Sequence, residues 1–216
     1  MRNIILDICD TLYYSNTTFD FLSYLDSREN NRNRVLLSLR KMKFIMGINA
    51  FIFKFSHVDL FRKVCIFFIL KGKEVSYINN LCDEFVHKYL IKKKIPATFK
   101  IIEKYSHQNN IIICSASISP IVSSIAKNIQ CNTYFSTELE IKNNTYTGKI
   151  KNDILGKKSS ILAGLNYDLV ITDNKSDIDI IKKSKNVILI SVEKNITFWN
   201  EFLKKNKDIN AEIIIV

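Results

Sequence analysis

The sequence predicts an α/β fold: a Rossmann-like parallel sheet core flanked by helices, with an α-helical cap inserted after the first strand. Three observations predict it. Apolar runs at Asn3 to Leu6, Ile111 to Cys114, Asp168 to Thr172 and Val187 to Val192 read as buried strands. Helical patterns alternate with the later runs, the sequence form of βαβ units and a parallel sheet. Between the first two runs, residues 14 to 100 read as helical throughout. The expected division is a core of residues 1–13 and 106–216 and a cap of residues 14–105.

In chain order, Asn3-Ile4-Ile5-Leu6 leads straight into Asp7, so the first strand ends at a carboxylate. Asn16-Thr17-Thr18 offers an N-cap for a helix through Phe19 to Leu25. Residues 33 to 55 interleave apolar positions with Arg and Lys. Residues 58 to 71 continue the pattern and end at Lys71-Gly72, a helix stop. Ser76 opens a helix with apolar positions at Ile78, Leu81, Phe85, Val86 and Leu90. Pro96 starts another, running to about Tyr105. After the strand at Ile111 come Ser115-Ala116-Ser117 and a helix from Pro120 to Asn128. Tyr134-Phe135 reads as a short strand, and Glu138 to Ile150 as a hairpin turning at Asn143-Asn144. A helix from about Lys157, a helix over 176 to 184, a helix holding Trp199 and a last strand at Ile213 to Val216 complete the chain.

Composition sets the outer bounds. With 216 residues, 47% of them hydrophobic, the chain can bury a sizeable core. The net charge of +11 suits phosphates or an anionic surface. No zinc-finger spacing, basic helix or aromatic RNA-binding motif accompanies it, so nucleic acid is not an expected partner. Five cysteines (Cys9, Cys65, Cys82, Cys114 and Cys131) include no C-x-x-C pair, which suits reduced thiols and a cytoplasmic location. The opening residues lack a signal-peptide pattern, and no apolar stretch reaches spanning length. His57, His87 and His107 show no ligand spacing.

The polar groups at the strand ends suit one chemistry. In a parallel sheet, ligands bind beyond the carboxyl ends of the strands. Asp7, Ser115 and Thr172-Asp173-Asn174-Lys175-Ser176-Asp177 then converge, with Lys158 near a helix start. Taken alone, Asp7 reads equally as an acidic turn after an edge strand. Together the groups suit phosphoryl transfer: Asp7 as nucleophile, a divalent ion between Asp7 and Asp173, and Ser115 and Lys158 donating to the equatorial oxygens. Hard oxygen ligands favour Mg2+.

The order Asp7-x-x-x-Thr11-Leu12, strand plus Ser115, lysine, then Asp173-x-x-x-Asp177 resembles the haloacid dehalogenase superfamily. Ser115-Ala116-Ser117, Thr137-Glu138-Leu139-Glu140, Tyr146-Thr147-Gly148-Lys149-Ile150 and Gly156-Lys157-Lys158 followed by Ile161-Leu162 resemble its phosphoserine-phosphatase-like branch, which carries a helical cap. The resemblance covers about residues 3 to 192. It implies Asp7 as nucleophile and metal ligand, and a backbone carbonyl from Cys9 to the metal. It implies phosphate contacts from Thr11, Ser115 and Ala116, and Asp173 and Asp177 at the metal. Lys158 fits the branch spacing better than Lys157. The implied activity is a Mg2+-dependent phosphatase acting through an aspartyl-phosphate.

Two departures qualify that activity. The family's second acid, which protonates the leaving oxygen and then activates water, is Cys9 here, and Asp10 replaces a glycine. A neutral thiol donates a proton but does not take one from water, and losing such help costs about 10² to 10⁴ in rate. Three readings follow: a slow phosphatase, replacement of the acid by Asp10 or a cap residue, or a phospho-ligand-binding or structural module. In the second departure, Tyr14-Ser15-Asn16-Thr17 lacks the acid that holds the phosphoserine amine, which argues against that substrate. The expected substrate is a small phosphorylated metabolite or a lipid phosphate. The start of the cap, Asn16 to Leu22, is similar to branch members that include phosphatidylglycerophosphate phosphatases. The cap's Phe44, Phe51, Phe53, Phe55, Phe61, Phe67 and Phe68 read either as packed core or as a peripheral contact with anionic membrane. Arg34, Arg40 and Arg62 read as solvated helix faces or as contacts for an anionic substrate tail.

Overall fold

The computed structural model describes residues 2–56, 58–106 and 108–216; His57 and His107 lie outside them. Its elements are β1 (Asn3–Leu6), α1 (Thr17–Arg28), α2 (Arg34–Ser38), α3 (Lys43–Ser56), α4 (Leu60–Leu70), α5 (Val75–Lys88), α6 (Pro96–Ser106), β2 (Asn110–Ile118), α7 (Ser119–Asn128), β3 (Thr133–Lys142), β4 (Thr145–Asn152), α8 (Lys158–Ile161), β5 (Leu169–Thr172), α9 (Ile178–Ile181), β6 (Asn186–Ser191), α10 (Ile196–Lys205) and β7 (Asn210–Ile215). The sheet runs β4-β3-β2-β1-β5-β6-β7, parallel except for the β3–β4 hairpin. The expected α/β architecture is present, and α1 to α6 all lie between β1 and β2.

The two faces of the sheet follow the period-2 rule for strands. Ile4, Leu6, Ile113, Leu169 and Ile171 enter one apolar cluster; Ile5, Ile112, Cys114, Val170, Val187 and Leu189 enter the other. The first cluster runs without interruption into Phe21, Leu22 and Leu25 of α1, Cys65 and Ile66 of α4, and Phe85 of α5. The inserted helices therefore share an apolar core with one face of the sheet. Trp199 of α10 is buried in the second cluster.

Several elements differ from the sequence pattern. The helix over 33 to 55 is broken at Met42, whose backbone is extended, and α3 begins after it at Lys43. The strand at Ile111 continues through Ser115-Ala116-Ser117 to Ile118, with a register irregularity against β3 between Ser115 and Ile118. The short strand at Tyr134 is the start of one long strand, β3, parallel to β2 in its first half and antiparallel to β4 in its second. Its turn is at Asn143-Asn144, both in the left-handed region. The helices expected from Lys157 and over 176 to 184 are single α turns, Lys158–Ile161 and Ile178–Ile181.

Gly148 marks where α4 lies against β4. Its φ is +82°, and a Cβ there would meet the Phe67 carbonyl oxygen at 2.9 Å and the Phe67 Cα at 3.0 Å. Both the left-handed backbone and the close approach need glycine. Gly148→Ala is therefore expected to destabilise the protein by about 1–3 kcal/mol. Chemical denaturation checks this: the midpoint falls with the slope unchanged. An unchanged midpoint contradicts the packing described.

Candidate active site

The site begins where β1 stops. The Asp7 amide makes the last rung to the neighbouring strand, donating to the Ile171 carbonyl at 3.0 Å. The chain then leaves the sheet, and the Ile8 amide donates to Asp7 Oδ1 at 2.8 Å. The amides of Thr11, Leu12 and Tyr13 close back on the Ile8 carbonyl, and Asp10 takes φ +50° to make the turn. The start of α6 braces this loop: Thr98 Oγ1 donates to the Thr11 carbonyl at 2.6 Å, and the Ile95 amide to the Leu12 carbonyl at 3.0 Å. Asp7 is thus fixed at the carboxyl end of the central strand, 4% exposed.

Lys158 meets it from the first turn of α8. Its Nζ lies 3.0 Å from Asp7 Oδ2 and donates to Asp177 Oδ2 at 2.8 Å. Thr172 Oγ1, at the end of β5, donates to the same Asp177 oxygen at 2.7 Å. Burial opposes the ammonium charge, but the carboxylates of Asp7 and Asp177 outweigh it and hold the lysine well above its ordinary pKa. Lys158 is a fixed cation here, while Lys157 is exposed at the cap of α8.

Asp173 sits beside this group. Its Oδ1 accepts from Thr11 Oγ1 at 3.0 Å, and its amide donates to the same hydroxyl at 2.9 Å. Burial and the neighbouring Asp7 charge push its carboxyl up to about 7. Two carboxylates facing each other with too little positive charge between them form the environment that a divalent cation relieves. Among the described residues no three His, Cys, Asp or Glu side chains form a ready-made metal cluster. Asp177 is turned to Lys158 and Thr172 instead. The groups that fit a hard cation are the Asp7 and Asp173 carboxylates, both oxygen donors.

Cys9 is partly buried. Its Sγ lies 3.4 Å from Thr17 Oγ1 and 3.4 Å from Ser117 Oγ, and it accepts from the Thr17 amide at 3.4 Å. Thr17 and Ser117 are themselves 2.5 Å apart, and Ser115 Oγ donates to Ser117 Oγ at 3.4 Å. Burial, then the Asp7 charge, raises the thiol above its ordinary pKa, so it is a neutral thiol at pH 7.

Arg62 corrects the sequence reading. It is not on a solvated helix face: it is 4% exposed. From α4 it donates to the Ala116 carbonyl at 2.8 Å and forks onto both oxygens of Asp153 at 2.5 Å. Thr137 Oγ1 bonds both Ala116 and Asp153, at 2.9 and 3.3 Å. This clamp ties the inserted helices to the rim of the sheet. Arg34 is exposed, and Arg40 stacks on the Phe19 ring.

Several of these groups line a partly open cavity of about 150 Å³. Asp7, Cys9, Ser115, Ala116, Lys158 and Asp177 line it from the sheet side, with Asn16, Thr18, Phe19, Asp59 and Arg62 opposite. Thr11 and Asp173 are not among its walls; Thr11 serves by holding Asp173. Asp10 is exposed and outside the lining, so Asp59 is the carboxylate that the inserted helices present there. Thr17 and Ser117, the partners of Cys9, and Asp153, the partner of Arg62, were not legible as site residues. Ser117 lies in the Ser115-Ala116-Ser117 motif and Thr17 in the helix cap, but nothing in either pattern points to Cys9, and Arg62 and Asp153 meet by packing across 91 residues.

The model of haloacid dehalogenase-like hydrolases matches residues 4–182. No curated protein matches the chain. Similar solved structures include a protein of unknown function from Bordetella pertussis Tohama I, 12% identical with a TM-score of 0.76, the match covering 99% of this chain and 98% of that one. A phosphoserine phosphohydrolase-like protein from Francisella tularensis subsp. tularensis SCHU S4 is 14% identical at TM-score 0.60, covering 98% and 95%. A phospho-aspartyl intermediate analogue of phosphoserine phosphatase is 16% identical at TM-score 0.58, covering 99% and 92%. At these identities the likeness is one of fold.

The clamp yields a prediction. Removing one partner of a buried ion pair leaves an uncompensated charge, at a cost of about 3–5 kcal/mol. Asp153→Ala is expected to lose about that much stability, and Arg62→Met with Asp153→Leu to recover most of it. Equal losses in the single and double variants, by thermal or chemical unfolding, contradict the clamp.

Proposed function

The chain belongs to the haloacid dehalogenase-like hydrolases, and on that footing we propose that it is a magnesium-dependent phosphomonoester phosphatase working through an aspartyl-phosphate on Asp7. One observation carries the reading: a buried lysine bridges Asp7 and Asp177, and all three line one cavity. That arrangement fixes a carboxylate nucleophile beside a permanent positive charge, which is what an incoming phosphate dianion requires. We take residues 14–105 as the cap, with α6 bracing the catalytic loop.

In the first step an Asp7 oxygen attacks phosphorus, the P–O ester bond breaks, and the leaving oxygen takes a proton. Lys158 and Ser115 donate to the non-bridging oxygens as charge builds there. Ala116 and Thr11 shape the loops beside them. When bound by Asp7, Asp173 and the Cys9 carbonyl, Mg2+ supplies charge neutralisation between nucleophile and substrate. Asp177 positions Lys158. In the second step water attacks the phosphoryl group, the P–O bond to Asp7 breaks, and the carboxylate returns.

Cys9 divides the two steps. As a thiol it donates to a leaving oxygen in the first. The thiolate left by that donation is disfavoured by burial, so it takes a proton back from solvent before the second step and then gives the attacking water no general base; the protons of that water stay on the released phosphate. A slow enzyme, or one suited to easily expelled groups, follows. Free thiols at all five cysteines support a reducing compartment and a cytoplasmic location. The substrate is a phosphorylated metabolite or a lipid phosphate, and the absence of an acid over Tyr14 to Thr17 argues against phosphoserine.

The test is phosphate release from a panel of phosphomonoesters, with and without Mg2+. Wild type is expected to turn over slowly, Asp7→Asn not at all, and Cys9→Asp faster by about 10². No Asp7-dependent turnover on any ester overturns the phosphatase reading in favour of a binding module. A fall in turnover for Cys9→Asp overturns the role given to the thiol.

A further inference from the structure

Helix α3 is built unlike the rest of the fold. Its sequence Lys43-Phe44-Ile45-Met46-Gly47-Ile48-Asn49-Ala50-Phe51-Ile52-Phe53-Lys54-Phe55-Ser56 contains no acid, and none of its residues is buried. Phe44 is 73% exposed, Phe51 66% and Phe55 70%, with Met46 and Ile48 also open. Exposed apolar surface on this scale marks a docking face. The packed-core reading of the cap aromatics therefore fails for Phe44, Phe51 and Phe55 of α3 and for Phe68 of α4, which is 63% exposed, while Phe53, Phe61 and Phe67 are half-buried.

The inner side of α3 is also open. Ile45, Met46, Ala50 and Phe53 form one wall of a cleft of about 420 Å³, with Phe19 and Phe61 opposite. Its floor is shared with the phosphate cavity: Asn16, Phe19, Asp59, Leu155, Gly156, Asn174 and Ser176 border both. An apolar cleft thus opens directly beside the nucleophile. Asn49 holds α3 in place over it, its Nδ2 donating to Asp59 Oδ1 at 3.0 Å and its Oδ1 accepting from the Phe61 amide at 2.9 Å.

The charges select the occupant. Arg40, Lys41, Lys43 and Lys54 flank or punctuate the apolar face with no acid on the helix. Cations around exposed aromatics suit an anionic bilayer surface. At 14 residues α3 is about 21 Å long, short of the hydrocarbon thickness, and it meets α4 at a bend of 108°. It can lie in an interface, and no single described helix is long and apolar enough to cross one.

We propose that the cleft beneath α3 takes the apolar chain of a lipid phosphomonoester whose head occupies the phosphate cavity, and that the outer face of α3 lies in the bilayer supplying it. This rests on the phosphatase reading for its reaction and on the cleft and helix for its substrate class. Covalent balance is that of the two steps above, with the lipid alcohol as leaving group.

The test separates the two. Full-length Asp7→Asn protein is sedimented with phosphatidylcholine vesicles containing phosphatidic acid or phosphatidylglycerol. Binding to both anionic vesicles is expected at low salt, and Phe44→Ser with Phe51→Ser and Phe55→Ser should weaken it about tenfold or more. Wild type should favour long-chain over short-chain phosphatidic acid in kcat/KM, and Ala50→Trp, which fills the cleft, should lower that ratio about tenfold. No vesicle binding, a ratio near one, a ratio untouched by Ala50→Trp, or a dimer in solution that buries α3 overturns the proposal. If no ester is turned over at all, the phosphatase reading falls. The cleft then stands only if Ala50→Trp lowers the preference of the Asp7→Asn protein for phosphatidic acid over phosphatidylglycerol.

Discussion

The structure depends on one buried ammonium group. Lys158 sits 8% exposed between Asp7 and Asp177, and the three groups lie on three separate segments of chain. Taking such ions out of water costs several kcal/mol each. The cost is offset because nearly every polar atom has a partner: Thr172 on Asp177, the Ile8 amide on Asp7, and the lysine on both. The segments that carry them then have little freedom. β1 must end at Leu6, α8 must begin at Lys158, and the turn after β5 must present Asp177 inward.

A second buried cation closes the site from the other side. Arg62 spends its donors on the sheet rim, on Ala116 and Asp153, which sets α4 over the carboxyl ends of the strands. The inserted helices share an apolar cluster with the sheet face below them. With α4 and α5 tied down in this way, α3 has no buried residue; the extended backbone at Met42 precedes it, and Asn49 pins it to the start of α4. Catalysis needs the rigid part, and the exposed helix supplies the apolar surface.

Much of this was legible in the sequence, for physical reasons. Strands buried on both faces read as continuous apolar runs, so β1, β5 and β6 stood out. Chemistry at strand ends made Asp7, Ser115, Asp173 and Asp177 visible, and Lys158 followed from spacing. What stayed hidden depends on tertiary contact. An arginine on an amphipathic helix carries no mark of being buried, so Arg62 read as solvated. Thr17 and Ser117 are ordinary helix-start and strand residues until packing places them on the Cys9 sulfur. The division of the cap aromatics also escaped periodicity. Those on α3 and α4 share one composition, and exposed and half-buried phenylalanines occur on both helices.

The account's central claim is that Asp7 is a nucleophile whose product is stranded by the thiol at Cys9. With an aryl phosphate, whose leaving group needs no proton, the first step is fast and the second lacks its base. Rapid-quench kinetics, followed by mass analysis of the acid-quenched protein, tests this directly. The account predicts a burst of phenol stoichiometric with enzyme, and a phosphoryl group on Asp7 that accumulates in wild type and drains in Cys9→Asp. Turnover without a burst and without phosphoryl-Asp7 contradicts it.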